Sequence, residues 1–321
     1  MILRTNVKLN FGLNVIRKRP DGYHDIETLF VPCHEFGDTL EVISGDDYSR
    51  TSSALFARYG DNPVQGISED GKLMITIARE EGIDWDPLKD LCAKAYYLLA
   101  EDFKLPPVKI FLEKKAPVGA GLGGGSADAA FTLKALNELC CLGLSDGELS
   151  EYASRLGSDC AFFVWNRPMF GTGRGEILEP FDLDLSGYEV KVLVPEGISV
   201  STKEAYDGII PRNSVEGTTD ARDTATLGTL RGGTGAERCE ASGGAERSEA
   251  SKASVVLPTG LKNALLRPVE EWKDLVVNDF EATVFRKHPE LAAVKQSLYD
   301  SGAVYAAMSG SGSAIFALYR K

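Results

Sequence analysis

The sequence predicts a two-domain α+β protein, on three observations. Strand-like alternation fills the first third, helix-like periodicity the middle, and strand-like text returns at the C-terminal end. The chain has 321 residues, room for two modest domains at one per ~150 residues. Apolar residues make up 43% of it and charged residues 26%, close to the globular average, so a sizeable core can form. The expected domains are 1–165 and 166–321, the second carrying an insertion at about 215–254.

Val7, Leu9, Phe11 and Leu13 alternate with polar or small residues, the period of a half-buried strand. Arg19-Pro20-Asp21-Gly22 is turn chemistry, and Ile26 to Cys33 reads as the next strand. Over 86–103 the period changes: Leu88, Leu91, Cys92, Ala95 and Leu99 share a helical face, with Asp86 as N-cap. Val108 to Leu112 is a short strand ended by Lys114-Lys115-Ala116-Pro117. After a run of glycines, a helix is expected from about Ser126 to Cys140, with Ala129, Leu133, Leu136 and Cys140 on one face. Ser145-Asp146-Gly147-Glu148 is a capping box for a second helix. Leu149, Tyr152, Ala153 and Leu156 form its stripe and Gly157 its stop. Strand text returns at Val190–Val194 and helical text at Pro289–Tyr299. Two apolar runs, Val304–Met308 and Ala314–Tyr319, close the chain around Ser309-Gly310-Ser311-Gly312-Ser313.

Residues 215–254 differ. They are rich in Gly, Ala, Ser, Thr and Glu and hold a near-tandem repeat, Gly235–Ser242 then Gly244–Ser251. Two copies without an apolar stripe cannot stack as a solenoid. A loosely ordered surface insertion is the expectation.

The net charge of −12 excludes a general binder of nucleic acid or of an anionic membrane, because such a chain repels phosphate at long range. Six scattered cysteines with no CxxC pair, and only three histidines, argue against a Cys/His zinc site and fit a reducing compartment. Arg4 and Lys8 fall where a signal peptide needs an unbroken apolar region. No apolar run approaches the roughly 18 residues of a membrane span. A soluble, cytoplasmic protein is expected.

The strongest chemical signal is Pro117-Val118-Gly119-Ala120-Gly121-Leu122-Gly123-Gly124-Gly125-Ser126, continuing through Ala127 into the helix. With side chains nearly absent, backbone amides can approach a ligand, and glycines tolerate the positive φ angles of anion-binding nests. The helix N-terminus that follows favours a polyphosphate. Gly119 to Gly124 formally matches GxGxxG, but a dinucleotide fold wants a strand after the helix and here a second helix follows. A Walker A loop needs a lysine before its Ser/Thr, and protein-kinase signatures such as His-Arg-Asp are absent.

This segment resembles the hallmark of the GHMP kinase family, Pro-x-x-x-Gly-Leu-Gly-Ser/Gly-Ser/Gly-Ser before a helix. Lys8-Leu9-Asn10 with Arg19-Pro20-Asp21-Gly22-Tyr23-His24 is similar to the N-terminal signature of a branch whose substrate carries a cytidine diphosphate group. Leu156-Gly157-Ser158-Asp159 with Gly171–Glu176, and Met308–Ser313, resemble later motifs of that branch. The resemblance spans most of the chain and lapses at 215–254. It implies an N-terminal domain like that of a ribosomal protein and a C-terminal ferredoxin-like α/β sandwich, with the site in the cleft between them. The implied activity is transfer of the γ-phosphoryl group of ATP to a hydroxyl of that cytidylyl substrate, for isoprenoid precursors. ATP is then co-substrate and Mg²⁺ its companion, with no metal ligands assigned.

Residue by residue, the resemblance makes Lys8 and Asp159 catalytic and Pro117 through Ala127 the ATP loop. From the residues alone, Asp159 reads equally as an N-cap for Cys160-Ala-Phe-Phe or as acceptor of the alcohol proton. Asn10, Tyr23, His24 and Tyr206 fall where the branch binds substrate: Tyr23 stacks on cytosine, the His24 segment reads its edge, and Tyr206 takes the opposite face. Asp90-Leu91 departs from the usual Asn-Leu, leaving adenine contacts unassigned. The rivals are a homoserine- or mevalonate-type kinase, whose substrates have no base for Tyr23 to stack on, and a non-catalytic binding protein on the same fold. Oligomeric state is not assigned.

Overall fold

The computed structural model describes residues 1–214 and 260–321, and the insertion expected at 215–254 lies outside them. β1 (Ile2–Arg4) leads into β2 (Val7–Lys18), which pairs antiparallel with β3 (His24–Cys33). β2 departs from a half-buried strand: residues 7–15 are buried throughout, Lys8, Asn10 and Asn14 included. Val7, Leu9 and Phe11 enter an apolar cluster. The polar side is covered because the glycine segment and the C-terminal loop lie on it. The Lys8 amide donates to the Leu122 carbonyl at 2.9 Å, and the Asn10 amide to Ser309 Oγ at 3.3 Å.

Next come β4 (Thr39–Ser44), α1 (Ser52–Tyr59), β5 (Val64–Ile67) and β6 (Leu73–Arg79). The single helix expected over 86–103 is broken in two. Asp86 does cap, accepting the Leu88 amide at 2.9 Å, but only for a 3₁₀ turn over Pro87–Lys89. Asp90 then turns extended (φ −62°, ψ 152°) and caps α2 (Leu91–Asp102) by accepting the Cys92 amide at 2.9 Å. Each aspartate captures the amide two residues on, so the chain starts helically twice.

β7 (Val108–Lys114) runs parallel to β6, with α2 as the crossover that a parallel pair requires. α3 (Gly124–Leu139) and α4 (Asp146–Leu156) follow, the second with its capping box formed: Ser145 Oγ accepts the Glu148 amide and the Glu148 carboxylate accepts the Ser145 amide. α5 (Cys160–Trp165) precedes β8 (Met169–Thr172) and β9 (Ile177–Pro180), and β8 pairs back onto β3. Backbone hydrogen bonds therefore cross the boundary expected at 165. The remainder is β10 (Tyr188–Leu193), α6 (Thr202–Tyr206), α7 (Leu261–Leu265), α8 (Phe280–Lys287), α9 (Pro289–Asp300), β11 (Tyr305–Met308) and β12 (Ile315–Arg320).

Three sheets result, ordered β1-β4-β7-β6-β5, β2-β3-β8-β9 and β10-β12-β11. Leu40, Val42, Ile75, Ile77, Ile110 and Leu112 of the first pack on Cys92, Ala95 and Leu99 of α2 and on Ala129, Leu133 and Leu136 of α3. These are the stripes that helical spacing predicts. In the C-terminal half, Phe11 of β2 meets Phe316, Trp272 and Tyr305 at centroid distances of 4.6, 5.9 and 6.1 Å. β2 thus packs on the C-terminal half through Phe11, and its other side, with Lys8 and Asn10, forms the floor of the site.

Candidate active site

A cleft of about 1030 Å³ opens above that floor, at the upper end of the range for small-molecule sites and large enough for two ligands. Pro117 to Ser126 line it. Gly119, Gly121 and Gly123 all adopt φ near +74°, alternating with buried Ala120 and Leu122. The left-handed angle alone favours glycine, and at Gly121 space demands it: a Cβ would sit 2.2 Å from the Ser309 carbonyl oxygen. The first α-helical bond of α3 runs from the Ala127 amide to the Gly123 carbonyl. The amides of Gly124, Gly125 and Ser126 precede it, the arrangement that suits an anion. Ala127 differs from the other loop residues: it is fully buried in the core and does not line the cleft.

Lys8 and Asp159, 151 positions apart in the sequence, meet at the loop. Lys8 Nζ is 3.3 Å from Asp159 Oδ2 and donates to Asn10 Oδ1 at 2.5 Å and to the Gly121 carbonyl at 2.9 Å. Both line the cleft, Lys8 3% exposed and Asp159 33%, so the carboxylate is the more open of the two. Asn10 is itself held by donating to Thr28 Oγ1 at 3.0 Å. Asp159 stands at the start of α5 but its side chain caps nothing, so the N-cap alternative does not describe it.

Tyr23, His24 and Tyr206 all line the same cleft. The His24 ring stacks on Tyr206, with centroids 4.5 Å apart and planes 16° apart, while Tyr23 is 56% exposed and carries Arg174 against its ring. Burial, with Lys18 adding, pulls the His24 imidazole below its usual value. A neutral ring offers one donor and one acceptor, the equipment for reading a base edge. The Tyr206 hydroxyl is pushed up to about 12, chiefly by burial and further by nearby Asp159.

Beneath the loop lies a buried ion triad absent from the sequence expectations. Lys114 Nζ donates to Asp38 Oδ2 and to Asp128 Oδ2, each at 2.5 Å. Asp38 Oδ1 accepts the amides of Lys115 and Ala116, where the chain enters the glycine segment. Burial alone draws the Lys114 ammonium down, but Asp128 and Asp38 outweigh it and hold it above its usual value. Burial pushes the Asp128 carboxyl well up, Lys114 opposing and Asp38 adding. Trp85, Arg174, Lys203 and Phe280 also line the cleft without having been expected there. They come from segments far apart, and no spacing announces such a meeting. Of the four, only Arg174 lies within a motif segment, Gly171–Glu176.

Two family models match the chain, GHMP kinases N terminal domain over 90–167 and GHMP kinases C terminal over 261–321. Fold and cleft are those of a GHMP kinase, a phosphotransferase for small molecules. A 4-diphosphocytidyl-2-C-methyl-D-erythritol kinase of Bacteroides fragilis is 40% identical over 99% of this chain and 92% of its own length. That of Parabacteroides distasonis is 38% identical over 100% and 92%. A crystal structure of 4-(cytidine 5'-diphospho)-2C-methyl-D-erythritol kinase matches with a TM-score of 0.63 and 28% identity, covering 99% of this chain and 90% of that one. The chain belongs to the 4-diphosphocytidyl-2-C-methyl-D-erythritol kinase family. A homoserine kinase of Cytophaga hutchinsonii, 17% identical with a TM-score of 0.54, shares the fold. Among the described residues no helix is long and apolar enough to cross a membrane.

Proposed function

We propose that the chain transfers the γ-phosphoryl group of ATP to the 2-hydroxyl of 4-diphosphocytidyl-2-C-methyl-D-erythritol, in the cytoplasmic non-mevalonate route to isoprenoid precursors. The observation that carries this is the Lys8–Asp159 pair at the glycine loop, 3.3 Å apart, in the same cleft as Tyr23, His24 and Tyr206. Asp159 accepts the proton of the attacking alcohol. Lys8 balances that carboxylate and neutralises charge at the transferred group, and Asn10 keeps its ammonium aimed. The loop amides up to Ser126 hold the nucleotide phosphates. Tyr23 stacks on cytosine and His24 reads its edge.

Mg²⁺ belongs to the same proposal. Among the described residues no group of three or more His, Cys, Asp or Glu side chains could cage a metal. The donors present, the Ser126 hydroxyl and the Asp159 carboxylate, suit an ion carried mainly by phosphates and water. Bound there, Mg²⁺ supplies charge neutralisation at the transferred group. Coupled assay of ADP release, with the cytidylyl substrate and with homoserine, tests the reading: turnover of the first alone is expected. Turnover of homoserine alone, or of neither, would end it.

Tyr23→Ala should weaken the cytidylyl substrate about 5- to 150-fold, the roughly 1–3 kcal/mol of one base–aromatic stack. Tyr23→Phe should cost far less, because the ring face survives. KM for ATP and the melting temperature should hardly move. Equal losses for both substrates would remove Tyr23 from base recognition.

A further inference from the structure

Four Lys and Arg side chains line the cleft, and two are already committed: Lys8 to Asp159 and Asn10, Lys114 to Asp38 and Asp128. Lys203 extends from α6 and, among the described residues, makes no ion pair. Arg174 is held differently. It sits in the β8–β9 turn, which is fixed to β3 by the Ile26 amide donating to the Gly173 carbonyl at 2.7 Å. Its guanidinium carbon lies 5.1 Å from the Tyr23 ring centroid. Its Nε donates to Glu176 Oε1 at 3.3 Å and its backbone amide to Glu176 Oε2 at 2.6 Å. One edge of the guanidinium and one face are therefore occupied. Among the described residues the two Nη groups have no hydrogen-bond partner, and the side chain borders the cleft.

We propose that Arg174 binds the diphosphate of the cytidylyl substrate through its Nη groups, with Tyr23 and Glu176 holding the guanidinium in place. The inference rests on the functional reading above and extends it. A diphosphate is joined to the nucleoside whose base Tyr23 stacks, so a cation against that ring lies within reach of it. The two faces of one ring then serve two parts of one ligand, base on the open side and cation on the other. A planar fork of N–H donors matches pairs of phosphate oxygens, which an ammonium does not. A chain of net charge −12 needs such a local cation to draw in an anion.

The test is inhibition by CDP and by cytidine, each measured against the cytidylyl substrate at saturating ATP. The unmutated enzyme should prefer CDP about tenfold or more, the scale of one charge-assisted contact. Arg174→Ala should bring the two inhibitors within about twofold and raise KM for the cytidylyl substrate about tenfold, with kcat and KM for ATP unchanged. Arg174→Lys should recover part of the CDP preference, since charge returns without the fork. Melting temperatures should stay level across the variants. Loss of CDP and cytidine binding by the same factor would overturn the proposal, since Arg174 would then act only through Tyr23. An undiminished CDP preference in Arg174→Ala would overturn it too. Failure of the unmutated protein to bind cytidine or CDP would overturn this inference together with the functional reading, and is recognised by appearing without any substitution.

Discussion

Asp159→Asn should lower kcat about 10²- to 10⁴-fold, the range for a positioned proton acceptor, while ATP still binds. The replacement keeps size and one hydrogen-bonding oxygen but loses the charge that faces Lys8 at 3.3 Å. Because Asp159 caps no helix, the loss carries no structural penalty from α5. Single-turnover kinetics with calorimetric titration of ATP separates chemistry from binding. Near-normal kcat in a folded Asp159→Asn protein would remove the residue from the mechanism. Lys8→Ala should cost about as much in rate, with an added weakening of ATP, since Lys8 Nζ also holds the Gly121 carbonyl of the loop.

Lys114→Met should lower folding stability by about 3–5 kcal/mol, the cost of stripping one partner from a buried ion cluster. It leaves Asp38 and Asp128, 0% and 1% exposed, facing each other without their cation. The deficit depends on pH: burial already raises the Asp128 carboxyl, and removing Lys114, which opposes that rise, lifts it further in the variant. A group whose pKa is higher folded than unfolded contributes stability at low pH and loses it as pH rises through the raised value. The variant should therefore recover toward the parent as pH falls into the ordinary carboxylate range. Urea unfolding in the ordinary carboxylate range, at about pH 4, and at mildly alkaline pH checks this. A cost below about 1 kcal/mol at both would show that the carboxylates do not need Lys114.

Much of the local structure was legible because its causes are local. The capping box at Ser145 forms as written, and the glycine segment ends on a helix N-terminus as its composition requires. The break at Asp90 was missed because two successive aspartate caps look, in periodicity alone, like one longer helix. The buried triad was hidden for another reason: Asp38, Lys114 and Asp128 each read as ordinary charged residues until the strands bring them together. The stack of His24 on Tyr206 and the seat of Arg174 on Tyr23 likewise join segments 182 and 151 positions apart. Periodicity reports which face of an element is apolar, not which polar residue of a distant element will face it.

The meeting of β2 with the last sixty residues has a consequence for synthesis. β2 is an edge strand of its sheet, and apart from the glycine segment the groups that cover it are synthesised far later than the strand itself. The Leu13 amide donates to the Val277 carbonyl at 2.9 Å, Phe11 packs on Phe316, and Ser309 reaches both Asn10 and the Gly121 carbonyl. Until then the nascent chain carries a partly uncovered apolar edge strand, a template for wrong pairings. Closing a loop of nearly 300 residues costs only slowly growing entropy, but it delays the event. A chain released at residue 214 would hold Lys8, Asp159 and the whole glycine loop, yet lack the wall that seats them: complete in its reactive groups and still unassembled.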